Sequence, residues 1–481
     1  MNITMLTDFY EITMMQGYLK TGEGKKKAVF DLFYRNNPNN GGYSICAGLS
    51  QVIDYIQNIS FTDEDISYLD KFSIFDRDFL DFLKNFRFSG DIYAVPEGTV
   101  VFPGEPVLRV RAPIIEAQFI ETALLNIINH QSLIATKASR IVWAGHGDKI
   151  LEFGLRRAQG TAAGLYGARA AVIGGCAATS NVLAGKMFDI PVCGTHAHSW
   201  VMSFDDELTA FRKYAEIFPH NCILLVDTFD TLHSGIPNAI KVFSELREKD
   251  RLFEGYGIRL DSGDFSYISE KAREMLDNAG FKDAVICASS DLDEYIITSL
   301  KQQETKISVW GVGTNLITSK DCPAFGGVYK LSAEEKDGEI VPKIKISENP
   351  DKITNPGVKK VFRLYDINTK KIKADLIALE HEKIDANKDL TIFAPFATWK
   401  TMTLKAGKFA VRELLAPVFS EGKLVYSDMP VMEIRKYCAE EMNSLWPEYK
   451  RLVNPHILPV DLSEELFNLK KDLINRTLHK F

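Results

Sequence analysis

Between residues 149 and 310, short apolar runs alternate with longer stretches whose apolar positions recur every three to four residues. The runs 149–153, 190–193, 222–226, 257–260, 284–287 and 307–310 read as buried strands. The stretches 207–217, 238–249, 266–278 and 292–301 read as amphipathic helices, long enough to be the crossovers that parallel strands require. The pattern predicts an α/β fold built on an irregular or incomplete (β/α) barrel. Ahead of it the elements are mixed: a short helix at 9–19, aromatic-rich helical stretches over 61–86, and strands at 92–102 and 106–110. From Ile114 the spacing of Ile115, Phe119, Ala123 and Ile127 predicts an amphipathic helix leading into the barrel. After Ser332 the chain turns lysine-rich, with a hairpin alternation at 360–377 and a charged helix at 464–475. The expected organisation is an N-terminal α+β domain over 1–135, a barrel-like domain over 136–332, and a C-terminal α/β appendage over 333–481 that packs on the other two.

Composition narrows the chemistry. A chain of 481 residues with 46% hydrophobic and 25% charged residues supports a multidomain globular core. The net charge of −7 argues against nucleic acid or an anionic membrane as the main partner, so any phosphate must be held by local charge. Seven scattered cysteines, without a C-x-x-C pair, predict neither a disulfide framework nor a zinc ribbon, but reduced thiols in a cytoplasmic protein. The N-terminal segment carries acidic Asp8 in place of a cationic leader, and no uncharged stretch is long enough to span a bilayer.

Glycines and charges cluster where each predicted strand ends, at 153–157, 194–198, 227–230, 259–264, 289–291 and 311–315. Polar groups converging at the carboxyl ends of parallel strands are how such a barrel builds an active site. No P-loop lysine motif occurs, so a nucleotide would have to share that mouth. Taken singly these residues admit plainer roles: Asp264 also fits the N-cap of a helix beginning near 266, and adjacent Arg156 and Arg157 also fit surface ion pairs.

In order along the chain, Thr7-Asp8-Phe9-Tyr10, Glu152-Phe153-Gly154-Leu155-Arg156-Arg157, Gly194-Thr195-His196-Ala197-His198-Ser199, Arg259-Leu260-Asp261-Ser262-Gly263-Asp264 and Gly311-Val312-Gly313-Thr314-Asn315 resemble the nicotinate phosphoribosyltransferases. The resemblance covers roughly residues 5–330 and extends more broadly to the type II phosphoribosyltransferases, which include the nicotinamide enzyme. It implies transfer of phosphoribosyl from phosphoribosyl pyrophosphate to nicotinate, with Mg²⁺ as cofactor and ATP as co-substrate through a phosphorylated histidine. That histidine is then His198, oriented by Asp227, with His196 facing away or touching a phosphate. Arg259 and Thr195 are implied nicotinate contacts, Phe153 and Tyr10 the ring-stacking aromatics, and Tyr10 would come from the neighbouring subunit of a homodimer. Ser289, Gly313 and Thr314 are assigned to the ribose phosphate, and Arg156 is a second candidate for the pyridine carboxylate.

The chemistry accounts for these residue types. Breaking a bond from ribose to diphosphate develops positive charge on the sugar and negative charge on the leaving group, so carboxylates such as Asp261 and Asp264 and a cation such as Arg259 belong together. A pyridine carboxylate suits the planar fork of an arginine. The segment 174–181 contains no acid to repel it, which favours nicotinate over nicotinamide. A nicotinamide-using relative and a catalytically silent nucleotide-binding scaffold are the alternatives.

Overall fold

The computed structural model describes residues 2–397 and 399–478, and the chain divides into two compact units. One unit comprises Ile134–Pro323 and Pro430–Arg435; the other comprises Met1–Leu133, Ala324–Met429 and Lys436–Phe481. The segment expected as an appendage over 333–481 therefore makes no unit of its own. The strand Gly327–Lys336, which crosses the expected boundary at 332, and Ala416–Ser420 beyond it hydrogen-bond into the same sheet as Lys27–Tyr34, and sheet pairing overrides order along the chain.

The unit Ile134–Pro323 is the open barrel. Its six parallel strands lie in the order Ala178–Thr179, Lys149–Glu152, Val309–Val312, Val285–Ser290, Gly257–Leu260, Ile223–Leu225. That order is the chain order wrapped once around, with the last strand pairing against the first, as in a (β/α) barrel. The ring has a seam. Beyond Ala178–Thr179 the segment expected as a strand at 190–193 contributes only an isolated bridge, Thr179 to Val192, and no strand pairing joins it to Ile223–Leu225 among the described residues. Asn221 crosses the seam instead, its Nδ2 donating to the Gly194 carbonyl at 3.0 Å. The predicted crossover helices are present as Glu207–Ile217, Ile236–Glu248, Phe265–Asn278 and Glu294–Gln302. Their inward faces are apolar: Ala239, Val242, Phe243 and Leu246 on the second are all buried.

The other unit is built on two sheets. A seven-stranded one runs Glu339–Pro342, Gly327–Lys336, Lys27–Tyr34, Leu108–Pro113, Asp91–Ala94, Ala416–Ser420, Lys423–Leu424, and all its pairings are antiparallel. A six-stranded one carries the expected hairpin, Lys359–Asp366 with Ile372–Leu379. The two are tied by charge. Buried Lys359 of the second sheet meets Asp31 of the first at 2.7 Å. Arg363, fully buried, donates through Nε and Nη2 to Asp375 at 2.9 and 2.7 Å, through Nη1 to Glu441 at 2.8 Å, and through Nη2 to the Val100 carbonyl at 2.7 Å. Burial and then the Asp375 charge hold the neighbouring Glu105 carboxyl well above the ordinary carboxylate range. No helix among the described residues is long and apolar enough to cross a membrane.

Candidate active site

The carboxyl ends of the barrel strands enclose a cleft of about 290 Å³ lined by Phe153, Arg156, Arg157, Arg259, Asp261, Ser289, Ser290, Asp291, Gly311, Gly313 and Thr314. Arg259, the third residue of the strand Gly257–Leu260, is its most constrained group. Nε donates to the Ser289 hydroxyl at 2.8 Å, Nη1 to the Thr195 hydroxyl at 2.9 Å, and Nη2 to Asp261 Oδ1 at 2.8 Å. A guanidinium has five N–H donors, so three are engaged and two are left for a ligand. Ser289 also donates to Asp261 Oδ1, closing a triangle of arginine, serine and aspartate. Burial raises the Asp261 carboxyl, but the Ser289 hydrogen bond and the Arg259 charge outweigh it and leave the group below its ordinary range. Asp261 is thus an anion fixed at the cleft.

Phe153 forms one wall. Its ring lies over Gly311, where a Cβ would come within 2.6 Å of a ring carbon, so the glycine gives the aromatic its place. The turn that follows the strand Lys149–Glu152 is set by Glu152, whose buried carboxylate accepts from the Gly154 amide and the Thr179 hydroxyl. That turn, Leu155–Arg157, carries Arg156 and Arg157, both exposed. Ser290 is held at φ 127°, a backbone region that L side chains rarely adopt and in which strained residues cluster at active sites, ligand clamps and switch regions.

The two histidines separate sharply. His196 is buried against Tyr214 and Phe211, and its Nε2 accepts from the Leu225 amide at 3.1 Å. Burial pushes its pKa down to about 4, so it is a neutral structural ring facing away from the cleft. With a folded pKa below the ordinary 6.5, the unfolded chain takes up the proton first; the stability this group contributes is complete above 6.5 and lost as pH falls towards 4. The difference between wild-type and His196→Gln stability is expected to change across that window with a slope of up to about 1.4 kcal/mol per pH unit. Urea unfolding of both proteins as a function of pH checks this, and parallel curves would exclude it.

His198 opens the short helix His198–Met202 and is two-fifths exposed. Its Nδ1 lies 3.1 Å from the Thr228 hydroxyl, and its Nε2 lies 3.7 Å from Asp261 Oδ2. Asp227 does not orient this ring: its Oδ2 accepts from the Asp261 amide at 2.9 Å and the Ser262 hydroxyl at 2.6 Å, while Oδ1 is buried without a partner. Thr228, the next residue, points the polar group at the imidazole. The resemblance implies the aspartate, but a hydroxyl holds a ring proton as well.

Other expectations change as well. Asp264 is exposed and outside the cleft lining; its Oδ1 accepts from the Tyr267 amide at 3.1 Å as the N-cap of Phe265–Asn278, the plainer of its two roles. The helix after Ser289–Ser290–Asp291 is closed by Asp293, which accepts from the Tyr295 and Ile296 amides, so this N-terminus holds a carboxylate already. By contrast Gly313 and Thr314 open a turn with no side-chain cap at the cleft wall. None of residues 174–181 lines the cleft; Thr179 and Asn181 serve the Glu152 turn and the cap of Val182–Phe188. The preference for a carboxylate therefore rests on the arginines. Tyr10 lies on the helix Phe9–Thr21 of the other unit and is about half exposed. Burial, then Glu121 and Glu11, raise its hydroxyl pKa. Among the described residues no group of three or more His, Cys, Asp or Glu side chains is placed to hold a metal ion.

Fold and site together define a (β/α) barrel protein with an arginine-bearing cleft at the carboxyl ends of its strands. The models of the nicotinate phosphoribosyltransferase N-terminal domain, family and C-terminal domain match residues 5–129, 149–368 and 358–470. The chain belongs to the nicotinate phosphoribosyltransferase family. It is 48% identical to the nicotinate phosphoribosyltransferase of Bacillus subtilis (strain 168) over 474 residues, covering 98% of this chain and 96% of that protein. The human nicotinate phosphoribosyltransferase is 32% identical over 527 residues, covering 98% and 96%. A crystal structure of human nicotinic acid phosphoribosyltransferase superposes with a TM-score of 0.83 at 29% identity, covering 97% of this chain and 99% of that one. A crystal structure of nicotinate-nucleotide pyrophosphorylase from Pyrococcus furiosus, 23% identical with a TM-score of 0.68 and covering 92% and 96%, shares the fold.

Proposed function

We propose that this protein joins nicotinate to C1 of phosphoribosyl pyrophosphate, releasing pyrophosphate and forming nicotinate mononucleotide in NAD salvage, with ATP hydrolysis coupled through a phosphohistidine at His198. The observation that carries the reading is Arg259, fixed by three side chains at the cleft with two N–H donors to spare. Full-length similarity to the Bacillus subtilis nicotinate phosphoribosyltransferase supports the choice of substrate.

In this reading Arg259 takes the pyridine carboxylate and Phe153 lies against the ring, orienting the ring nitrogen at little entropic cost. Gly313 and Thr314 receive the ribose phosphate through backbone N–H groups, and Arg156 and Arg157 face the diphosphate. Asp261, ionised in the cleft, stabilises the positive charge that grows on the ribose as the C–O bond to diphosphate lengthens. Asp227 and Asp261 fit Mg²⁺, an ion that uses one or two carboxylates and fills its shell with substrate phosphates and water; the unpartnered Asp227 Oδ1 is the donor left over for it. When bound, the ion neutralises charge on the departing diphosphate. Thr228 accepting the Nδ1 proton of His198 leaves the Nε2 lone pair free to attack a phosphoryl group. The protein works as a cytoplasmic homodimer in which Tyr10 of one subunit completes the site of the other.

Incubation with phosphoribosyl pyrophosphate, Mg²⁺, ATP and either pyridine tests the reading. Consumption of nicotinate with mononucleotide formed supports it; turnover of nicotinamide alone, or of neither, overturns it. His198→Ala is expected to lose radiolabel from γ-³²P-ATP entirely while retaining slower, ATP-independent transfer. A mutant that still incorporates label would move the phosphorylated group elsewhere.

A further inference from the structure

A second cavity, of about 210 Å³, lies wholly within the two-sheet unit and is lined by Asp31, Phe33, Arg35, Asn355, Lys359 and Phe396 among others. Its charges do not balance. Lys359 is matched by Asp31, and its ammonium also donates to the Asn355 and Gly357 carbonyls at 2.8 and 2.7 Å. Arg35 has no such match: among the described residues no carboxylate lies within ion-pairing distance, and its Nε is buried without a partner, as is Oδ1 of Asp31. Lys470 is only 4% exposed and equally unmatched by a carboxylate among the described residues. Its ammonium donates to Asn355 Oδ1 at 2.9 Å and sits 4.7 Å from the centre of the Phe396 ring, so both of its contacts are walls of the cavity. Burial, then the Lys359 charge, pull its pKa down to about 8. A buried cation without a counter-ion is costly, and a cavity that has one, Lys470, behind its wall and a half-buried one, Arg35, on its lining is prepared for an anion.

The remaining walls set the body of that anion. Phe33, Pro103, Pro106, Ile353, Pro395 and Phe396 are apolar, and Phe396 stands half exposed. The volume is somewhat more than the roughly 150 Å³ that encloses a benzene ring. We propose that this cavity is a second ligand site, separate from the barrel cleft, which binds a monocyclic aromatic carboxylate with its anionic group towards Arg35 and Lys470 and its ring against Phe33 and Phe396.

Isothermal titration of the full chain with benzoate tests it. Because the barrel cleft also suits an aromatic carboxylate, the variants are compared in the Arg259→Ala background: benzoate is expected to bind Arg259→Ala, and to bind it roughly tenfold or more weakly once Lys470→Met or Phe396→Ala is added, as loss of a charge-assisted contact or an aromatic wall requires. Phe396 is exposed enough that its substitution leaves folding intact should Lys470→Met not fold. Absence of binding to the wild type overturns the proposal, as does binding that Arg259→Ala abolishes and Phe396→Ala spares. Equal binding of inorganic phosphate in place of benzoate would overturn the aromatic part.

Discussion

Arg259→Ala is expected to lower kcat/KM for nicotinate by about tenfold to somewhat over a hundredfold, the equivalent of roughly 1.5–3 kcal/mol for one charge-assisted contact. The effect is expected towards the upper end of that range, because the same guanidinium restrains Thr195, Ser289 and Asp261. Removing it frees Asp261 from its cationic partner, so the Asp261 carboxyl moves up towards its ordinary range. Arg259→Lys should rescue little, since an ammonium cannot reach three acceptors in the plane of a fork. Steady-state kinetics over a nicotinate series measure this, and an unchanged KM and kcat in Arg259→Ala would transfer the carboxylate to Arg156.

Arg363→Met is expected to cost about 3–5 kcal/mol of stability in the two-sheet unit, read as a lower urea midpoint. The loss comes less from the bonds broken than from what they leave behind: Asp375, Glu441 and Glu105 would remain buried around an apolar side chain. Removing Asp375 and Glu441 in the same chain should recover part of that loss, because the residual penalty belongs to the stranded carboxylates. A single mutant that loses less than about 1 kcal/mol would mean that water reaches the cluster.

Local periodicity made the barrel helices and central strands readable. The helix Glu207–Ile217 and the strand Gly257–Leu260 fall where the alternation and their flanking polar residues put them. What escaped reading was too short to have a period or was settled across the chain. The two-residue strand Ala178–Thr179 exists because Lys149–Glu152 supplies its partner, and the apolar run at 190–193 pairs only at Val192. The strand expected over 92–102 is interrupted by the turn at Pro96–Thr99, with Gly98 at φ 83°, and its halves Asp91–Ala94 and Val100–Val101 join different sheets.

The site divides the same way. Arg259, Asp261, Ser289 and Phe153 were legible because each sits at a strand end where only side-chain direction remained to be known. Asp227, Thr228 and Asp264 were not, since an aspartate beside a hydroxyl or ahead of a helix admits several hydrogen bonds of similar strength. Glu152 went unnoticed as the residue shaping the arginine turn, since a buried carboxylate satisfied by one amide and one hydroxyl leaves no pattern along the chain.

The unclosed edge of the barrel bears on how the His198 arm behaves. Gly194–His198 follows a lone bridge at Val192 and is held by separate hydrogen bonds, from Asn221 to Gly194, Arg259 to Thr195, the Leu225 amide to His196 and between His198 and Thr228, whereas Arg259 and Ser289 stand on strands laced on both sides. Half of the cleft is thus bedrock and half a pier on separate pilings. In the proposed reaction the phosphoryl-accepting segment and the pyridine's berth are therefore joined at one point, Thr195 on Arg259.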